Sequence, residues 1–413
     1  MPNMYFYYGI ATARLPTLLD LPRVHPTGVS MPRPFTRLPE PWAFVRHFTP
    51  NWFAMTMGTG VFALVLAGLP WRFPGQSTLA EAFWWLAATL FLVFATLFAA
   101  RLTLFRDTLA PMLLHPVQSM FLGAIPMGLA TVIGGLARFG APRWGEGVYG
   151  LAQGLWWLDM ALACGTALGV PYLMFTRQDH ALEKLTGVWL LPIVAPEVAA
   201  ATAGSLAPHL DPVAARRLLA AGYLMWGMSL SLAFSLMTLV LLRLALHKLP
   251  DTDFAATSWL PLGPLATGCL GLLQMGRAAP AAFAATPLEG AAGLARDIGL
   301  VGGLALWGAG LWWLLTATLF THRYIRQRMA FNLGWWGFTF PLGVFTLATL
   351  ELHRLTGLEG FAWLGAGLAL QLAAVWGLVM VRTASGVWHG ELFRAPCLGE
   401  RASRVTAMPA ALG

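Results

Sequence analysis

Phe331-Asn332-Leu333-Gly334-Trp335-Trp336-Gly337-Phe338-Thr339-Phe340-Pro341-Leu342-Gly343 opens an apolar run that continues to His353. Such a run is long enough to cross a bilayer, because a hydrocarbon core of about 30 Å takes about 20 helical residues. Yet Pro341 lies well inside it, and an internal proline removes a backbone donor and leaves a carbonyl unpaired. Irregular backbone at membrane depth is tolerated only where protein or a water-filled cavity covers it. The stretch therefore reads as an inner helix of a membrane bundle, with its lipid contact made by other helices.

Outward from this segment, runs of the same kind fill the chain, at 48–69, 80–105, 117–138, 149–175, 188–207, 218–246, 260–279, 298–322, 333–353 and 361–382. Composition agrees: 57% hydrophobic residues, 11% charged residues and a mean hydropathy of +0.65 exceed what a soluble fold needs. The expected fold class is an all-α integral membrane protein of ten transmembrane helices. The net charge of +8 does not imply nucleic acid, because the basic residues stand singly between apolar runs. With a cytoplasmic N-terminus most of the 26 Lys and Arg fall inside, and the outer loops keep Arg72, Arg138, Arg143, Arg216, Arg217, Arg277, Arg296 and Arg354. This bias predicts both termini in the cytoplasm and a plasma-membrane location.

Residues 1–46, with Pro2, Pro16, Pro22, Pro26 and Pro32, read as a disordered cytoplasmic arm. Met31 is an alternative start within it. Residues 47–385 form the transport domain, and 386–413 read as a cytoplasmic tail.

Prolines well inside a span fall in odd-numbered spans: Pro126, Pro192, Pro196, Pro261, Pro264 and Pro341. The even spans have only Pro171, near an end. The first span carries Gly58-Thr59-Gly60, whereas the second has neither glycine nor proline. Odd helices should therefore be inner and even helices outer, giving five hairpins in a ring around a central path.

Candidate lining residues of that path are Thr56, Gly58, Thr59, Gly60, Gly123, Thr131, Thr202, Ser205, Thr267, Thr339 and Thr346, with the breaks at Pro126, Pro192, Pro196, Pro264 and Pro341. The competing and commoner role for a hydroxyl in a membrane helix is a bond back to its own helix or a tie between helices. Positive charge to attract anions comes from Arg106, His115 and Arg243 at the inner mouth and Arg143 and Arg217 at the outer one. Asp159 and Glu197 are the intramembrane carboxylates noted, with proton coupling as their candidate role. Phe338 and Phe340 flank Thr339 before Pro341, where a phenyl ring would close a narrow path by sterics and dewetting. The tryptophans near span ends, among them Trp84, Trp259 and Trp336, fit an aromatic belt. Cys164, Cys269 and Cys397 form no disulfide framework. No paired histidines at helical spacing and no Walker-type glycine loop occur, so neither an enzyme nor a metal or other cofactor is implied.

Three stretches carry a resemblance: His47-Phe48-Thr49-Pro50-Asn51-Trp52-Phe53 leading to Met57-Gly58-Thr59-Gly60; His115-Pro116-Val117-Gln118-Ser119-Met120-Phe121-Leu122-Gly123 leading to Pro126-Met127; and 331–343. With Leu191-Pro192-Ile193-Val194 and Pro261-Leu262-Gly263-Pro264-Leu265, they resemble the tellurite-resistance/dicarboxylate transporter family. That family includes slow anion channels, malate permeases and sulfite pumps. The resemblance implies quasi-fivefold hairpin symmetry, one pore per subunit and a homotrimer. It also implies that Phe340 matches the family's pore-occluding phenylalanine, with Phe338 as the alternative. Sulfite or bisulfite efflux is the first reading of the substrate, and a C4-dicarboxylate such as malate is the second.

Overall fold

The computed structural model describes residues 35–38 and 40–399. Among the described residues all regular structure is helical. Ten long helices follow in order: α1 Phe53–Gly68, α2 Gln76–Leu104, α3 Ala124–Gly135, α4 Gly147–Thr176, α5 Leu190–Leu206, α6 Pro212–His247, α7 Leu262–Phe283, α8 Glu289–Arg326, α9 Thr339–Thr356 and α10 Glu359–His389. Nine of these, with their flanking turns, are long and apolar enough to cross a membrane. The exception is α7, at 22 residues long enough to cross but carrying four glycines, Gln274 and Arg277.

Burial separates the two sets as expected. In the odd-numbered spans that pass the apolarity threshold, 67% or more of the most apolar window is buried, against 33% or less in the even ones. The reason is positional: α1 packs on α3, α3 on α5, α5 on α7, α7 on α9, and α9 back on α1, closing a ring. The even helices stand outside it, and their exposed Leu92, Leu168, Phe175, Leu224, Leu319 and Leu370 form an apolar surface suited to lipid.

Tryptophans tie the two layers together in a fivefold pattern. The indole N–H of Trp84 on α2 donates to the Val132 carbonyl on α3 (3.0 Å), Trp156 on α4 to Ala199 on α5 (2.8 Å), and Trp226 on α6 to Gly268 on α7 (3.1 Å). Trp307 on α8 donates to Thr349 Oγ1 on α9 (2.9 Å), and Trp376 on α10 to Thr59 Oγ1 on α1 (3.1 Å). Each outer helix is thus pinned to the inner helix of the next hairpin. An indole in apolar surroundings must find an acceptor, and here the acceptor fixes the packing. Trp84, Trp259 and Trp336, expected in the aromatic belt, are instead buried, and each donates to another helix.

The inner-helix prolines act differently from the expected mid-span kinks. Pro126, Pro192, Pro264 and Pro341 each occupy the third residue of their α-helix, after a 3-10 segment at Ser119–Gly123, Gly187–Trp189, Thr252–Trp259 and Leu333–Phe338. A proline cannot donate to the carbonyl four residues back, so the preceding turn closes with tighter i→i−3 bonds. The α1 segment begins with its own 3-10 turn, Pro50–Trp52. Pro196 is the one of this set in a helix interior.

The parts of the expected arm and tail that fall within 35–38, 40–46 and 386–399 are ordered against each other. Phe35 N–H donates to the Trp388 carbonyl (2.8 Å), Arg37 pairs with Glu391, and Phe393 stacks on Trp52 at 5.3 Å. Aromatic burial supplies the cohesion that the proline-rich composition concealed. The remaining arm and tail, including the start at Met31, lie outside the described residues.

Candidate functional site

At the amino-terminal ends of the inner helices a cavity of about 640 Å³, including space open to solvent, draws its wall from all five. Ala54 and Met57 come from α1, Ala124 and Met127 from α3, Leu190, Leu191 and Val194 from α5, and Gly263 from α7. From α9 and its 3-10 lead come Gly334, Trp336, Gly337, Phe340 and Pro341. The wall carries no charged side chain.

Phe340 stands out in this wall by comparing the repeats. The residues immediately before the first-turn prolines are Ile125, Leu191, Gly263 and Phe340, so one repeat places an aromatic ring where the others have aliphatic side chains or none. Phe338, the alternative, sits elsewhere: it is buried edge-on between Trp259 (5.8 Å) and Trp335 (5.9 Å) and does not line the cavity.

Along four of the inner helices, residues whole turns on from the cavity wall, at steps of three, four or seven, continue the same face. These stripes run Met57-Val61-Leu64 on α1, Val194-Val198-Thr202 on α5, Gly263-Leu270-Gln274 on α7 and Phe340-Val344-Leu347 on α9. Val61, Val198, Leu270 and Val344 are buried, whereas Leu64, Thr202, Gln274 and Leu347 are half-buried. The axis is therefore occluded in its middle by aliphatic groups and opens again toward the carboxyl-terminal end.

Most of the expected lining residues serve the ring's packing instead. The hydroxyls of Thr59, Thr131, Thr267, Thr339 and Thr346 donate within their own helices, to the carbonyls of Met55, Gly128, Gly263, Trp336 and Leu342 at 2.7–2.8 Å. Thr202 does the same to Val198 (3.0 Å) while keeping its half-exposed place on the stripe. A side chain at Gly58 would collide with Thr339, and one at Gly60 with Thr131. A methyl at Gly123 would meet the Leu191 carbonyl and lie 2.8 Å from Pro192 Cα. These glycines let inner helices touch backbone to side chain or backbone to backbone, as small residues do in membranes.

The charged candidates divide similarly. Arg243 is buried and its Nε and Nη2 donate to the Glu183 carbonyl (3.0 and 2.7 Å), so it braces a loop and is not free at a mouth. Arg143 pairs with Glu81, His115 Nδ1 accepts from the Val117 and Gln118 N–H groups (both 3.1 Å), and Arg106 and Arg217 are exposed. Glu197 is fully buried and turned away from the stripe, accepting from Ser229 Oγ on α6 (3.1 Å) beside Gly268 on α7. Asp159 is fully buried on α4, and neither carboxyl oxygen has a hydrogen-bond partner among the described residues.

Sequence reasoning missed two features. Glu351 lies inside the ninth span and is 2% exposed, yet went uncounted among the intramembrane carboxylates; its partners are Arg277 and Arg354. Arg101, counted only among the basic residues of the inner side, is fully buried and donates to the Phe48 carbonyl, Thr108 Oγ1 (3.0 Å) and Cys397 Sγ (3.9 Å).

A closed ring of inner helices around an axial cavity, in a chain with this many apolar helices, defines a multi-pass membrane transport protein. The chain belongs to the voltage-dependent anion channel (SLAC1) family, whose sequence profile matches residues 47–384. It is 38% identical over 361 residues to the sulfite efflux pump SSU1 of Arthroderma benhamiae, covering 86% of this chain and 95% of that protein. It is 26% identical over 351 residues to an uncharacterized transporter of Methanocaldococcus jannaschii (85% and 96% covered), and 24% identical over 345 residues to the malic acid transport protein of Schizosaccharomyces pombe (81% and 77%).

Proposed function

We propose that this protein moves small inorganic anions, sulfite or bisulfite first among them, outward across the plasma membrane along the axis of the inner ring, with Phe340 as the gate. The observation that carries the reading is the cavity shared by all five inner helices and walled by the single pre-proline phenylalanine. Identity to a sulfite efflux pump over nearly its whole length supports the substrate. Physical chemistry supports the sign of charge. Five helices aim their amino-terminal ends, which bear positive partial charge, at a mostly apolar cavity with no carboxylate in its wall to hold a cation. Such a field attracts an anion without holding it, as conduction requires.

Both termini are cytoplasmic in this reading, by the positive-inside bias, so the cavity faces the cytoplasm. The apolar outer faces of the even helices are suited to lipid and to packing three copies as a homotrimer. Lining beyond the cavity is assigned to the stripes through Val61, Val198, Leu270 and Val344, with Thr202 above them. The test is flux of sulfite, malate, chloride and nitrate into proteoliposomes with and without a pH gradient. Sulfite movement without need of a gradient is expected, and its absence while malate enters would overturn the substrate.

A second reading, a proton-coupled dicarboxylate carrier, is favoured by Glu197 and Asp159, since two fully buried carboxylates are costly unless they exchange protons or partners. On that reading Glu197→Gln abolishes gradient-driven malate uptake; unchanged uptake in the variant would remove it.

A further inference from the structure

Charge on the axis-facing stripes is confined to the outer end. One more turn beyond Leu347 on α9 reaches Glu351, and one beyond Gln274 on α7 reaches Arg277. The two side chains meet: Arg277 Nε lies 3.1 Å from Glu351 Oε1, and Arg354 pairs with Oε2. Glu351 is 2% exposed, while the side chains of Arg277 and Arg354 are 38% and 50% exposed. The carboxylate is thus sunk behind two guanidiniums that face water. One buried carboxylate between two arginines leaves this mouth positive. Beneath it the half-buried Leu64, Thr202, Gln274 and Leu347 narrow to the buried middle of the axis.

We propose that Arg277, with Arg354 beside it, forms an extracellular oxyanion-binding site at the outer mouth, and that Glu351 is its built-in competitor. The inference rests on the axis being the transport path. A guanidinium offers parallel N–H donors that match two oxygens of one acceptor, so the ligand class is small oxyanions such as sulfite, bisulfite or nitrate, and chloride is a poorer fit. Glu351 is the ion-pair partner of both guanidiniums when no anion is present. An anion arriving from inside displaces the carboxylate from Arg277, and the carboxylate's return expels the anion. Binding is then favourable enough to draw the anion through and weak enough to release it.

The test uses the full-length protein and two readouts, with sulfite as probe and chloride as control. In detergent, sulfite is expected to raise the melting temperature, Arg277→Gln to raise the half-effective sulfite concentration about tenfold, and Arg277→Lys to restore part of the loss. Glu351→Gln removes the competing charge with little change of shape and is expected to lower that concentration by a similar factor, with Arg354 still in place. In proteoliposomes, Arg277→Gln raises the half-saturating external sulfite for uptake, and Glu351→Gln slows turnover at saturation. Unchanged half-effective concentrations in Arg277→Gln or in Glu351→Gln overturn the site. Sulfite-dependent stabilisation that responds to both variants, in a protein that moves no sulfite, supports the site and sinks the transport reading. Sulfite flux with no response to either variant does the reverse.

Discussion

Replacing Phe340 by Ala removes the ring that walls the cavity against the buried middle of the axis, and the size of the effect follows from its burial. Phe340 is 4% exposed, so opening by rotation of the ring into a hydrated cavity forfeits most of its burial. Burying a phenylalanine side chain is worth about 1.5–3 kcal/mol, which sets the open fraction of the wild-type gate at roughly one part in 10 to 150. Phe340→Ala removes that cost, and sulfite flux per folded protein should rise by about one to two orders of magnitude. Stability should fall by about 3 kcal/mol, the low end for such a truncation, because the new space merges with an existing cavity. The assay is sulfite flux into proteoliposomes, normalised to monodisperse protein. Phe338→Ala is the internal control: that ring is packed between Trp259 and Trp335 away from the cavity, so its loss should lower stability without raising flux. Flux in Phe340→Ala at or below wild type, or an equal gain in Phe338→Ala, refutes the gate assignment.

Three further outcomes follow from the packing. Gly123→Ala sets a methyl against the backbone of Leu191 and Pro192, which cannot move aside as a flexible side chain would; a loss of about 1–3 kcal/mol is expected, read as a lower melting temperature in detergent. Arg101→Met leaves the Phe48 carbonyl and Thr108 without their buried donor, so residues 386–399 should become protease-sensitive while the rest of the bundle stays folded. His47 accepts a hydrogen bond from the Ala395 N–H (3.3 Å), and burial, then Arg101 and Arg46, hold its imidazole below the usual range against a weaker opposing effect of Glu40. A lowered folded value means that the contact is intact above about pH 6.5 and weakens as pH falls below it. Protease sensitivity of the tail should rise as the pH falls below about 6.5, and His47→Asn should flatten that dependence.

The sequence by itself determined the membrane class, the order of the spans and the division into inner and outer helices. Hydrocarbon has no water to pair backbone groups, so span length and proline position leave a direct trace in the chain. It also pointed to Phe340, through a phenylalanine next to a proline. It did not separate Phe340 from Phe338, because one faces the cavity and the other two tryptophans, a difference set by neighbours on another segment. The threonines misled for a related reason: a hydroxyl in a helix can face water or its own carbonyl, and composition is the same in both cases. The fivefold pattern left a faint trace in Trp84, Trp156, Trp226, Trp307 and Trp376, each on an even helix, but most other tryptophans follow no such spacing and hid it. What only the tertiary structure decided was which side chains meet across the ring. Glu351 and Arg277 lie on different hairpins, and their pairing, like the cavity itself, exists because α9 packs on α7 and closes on α1.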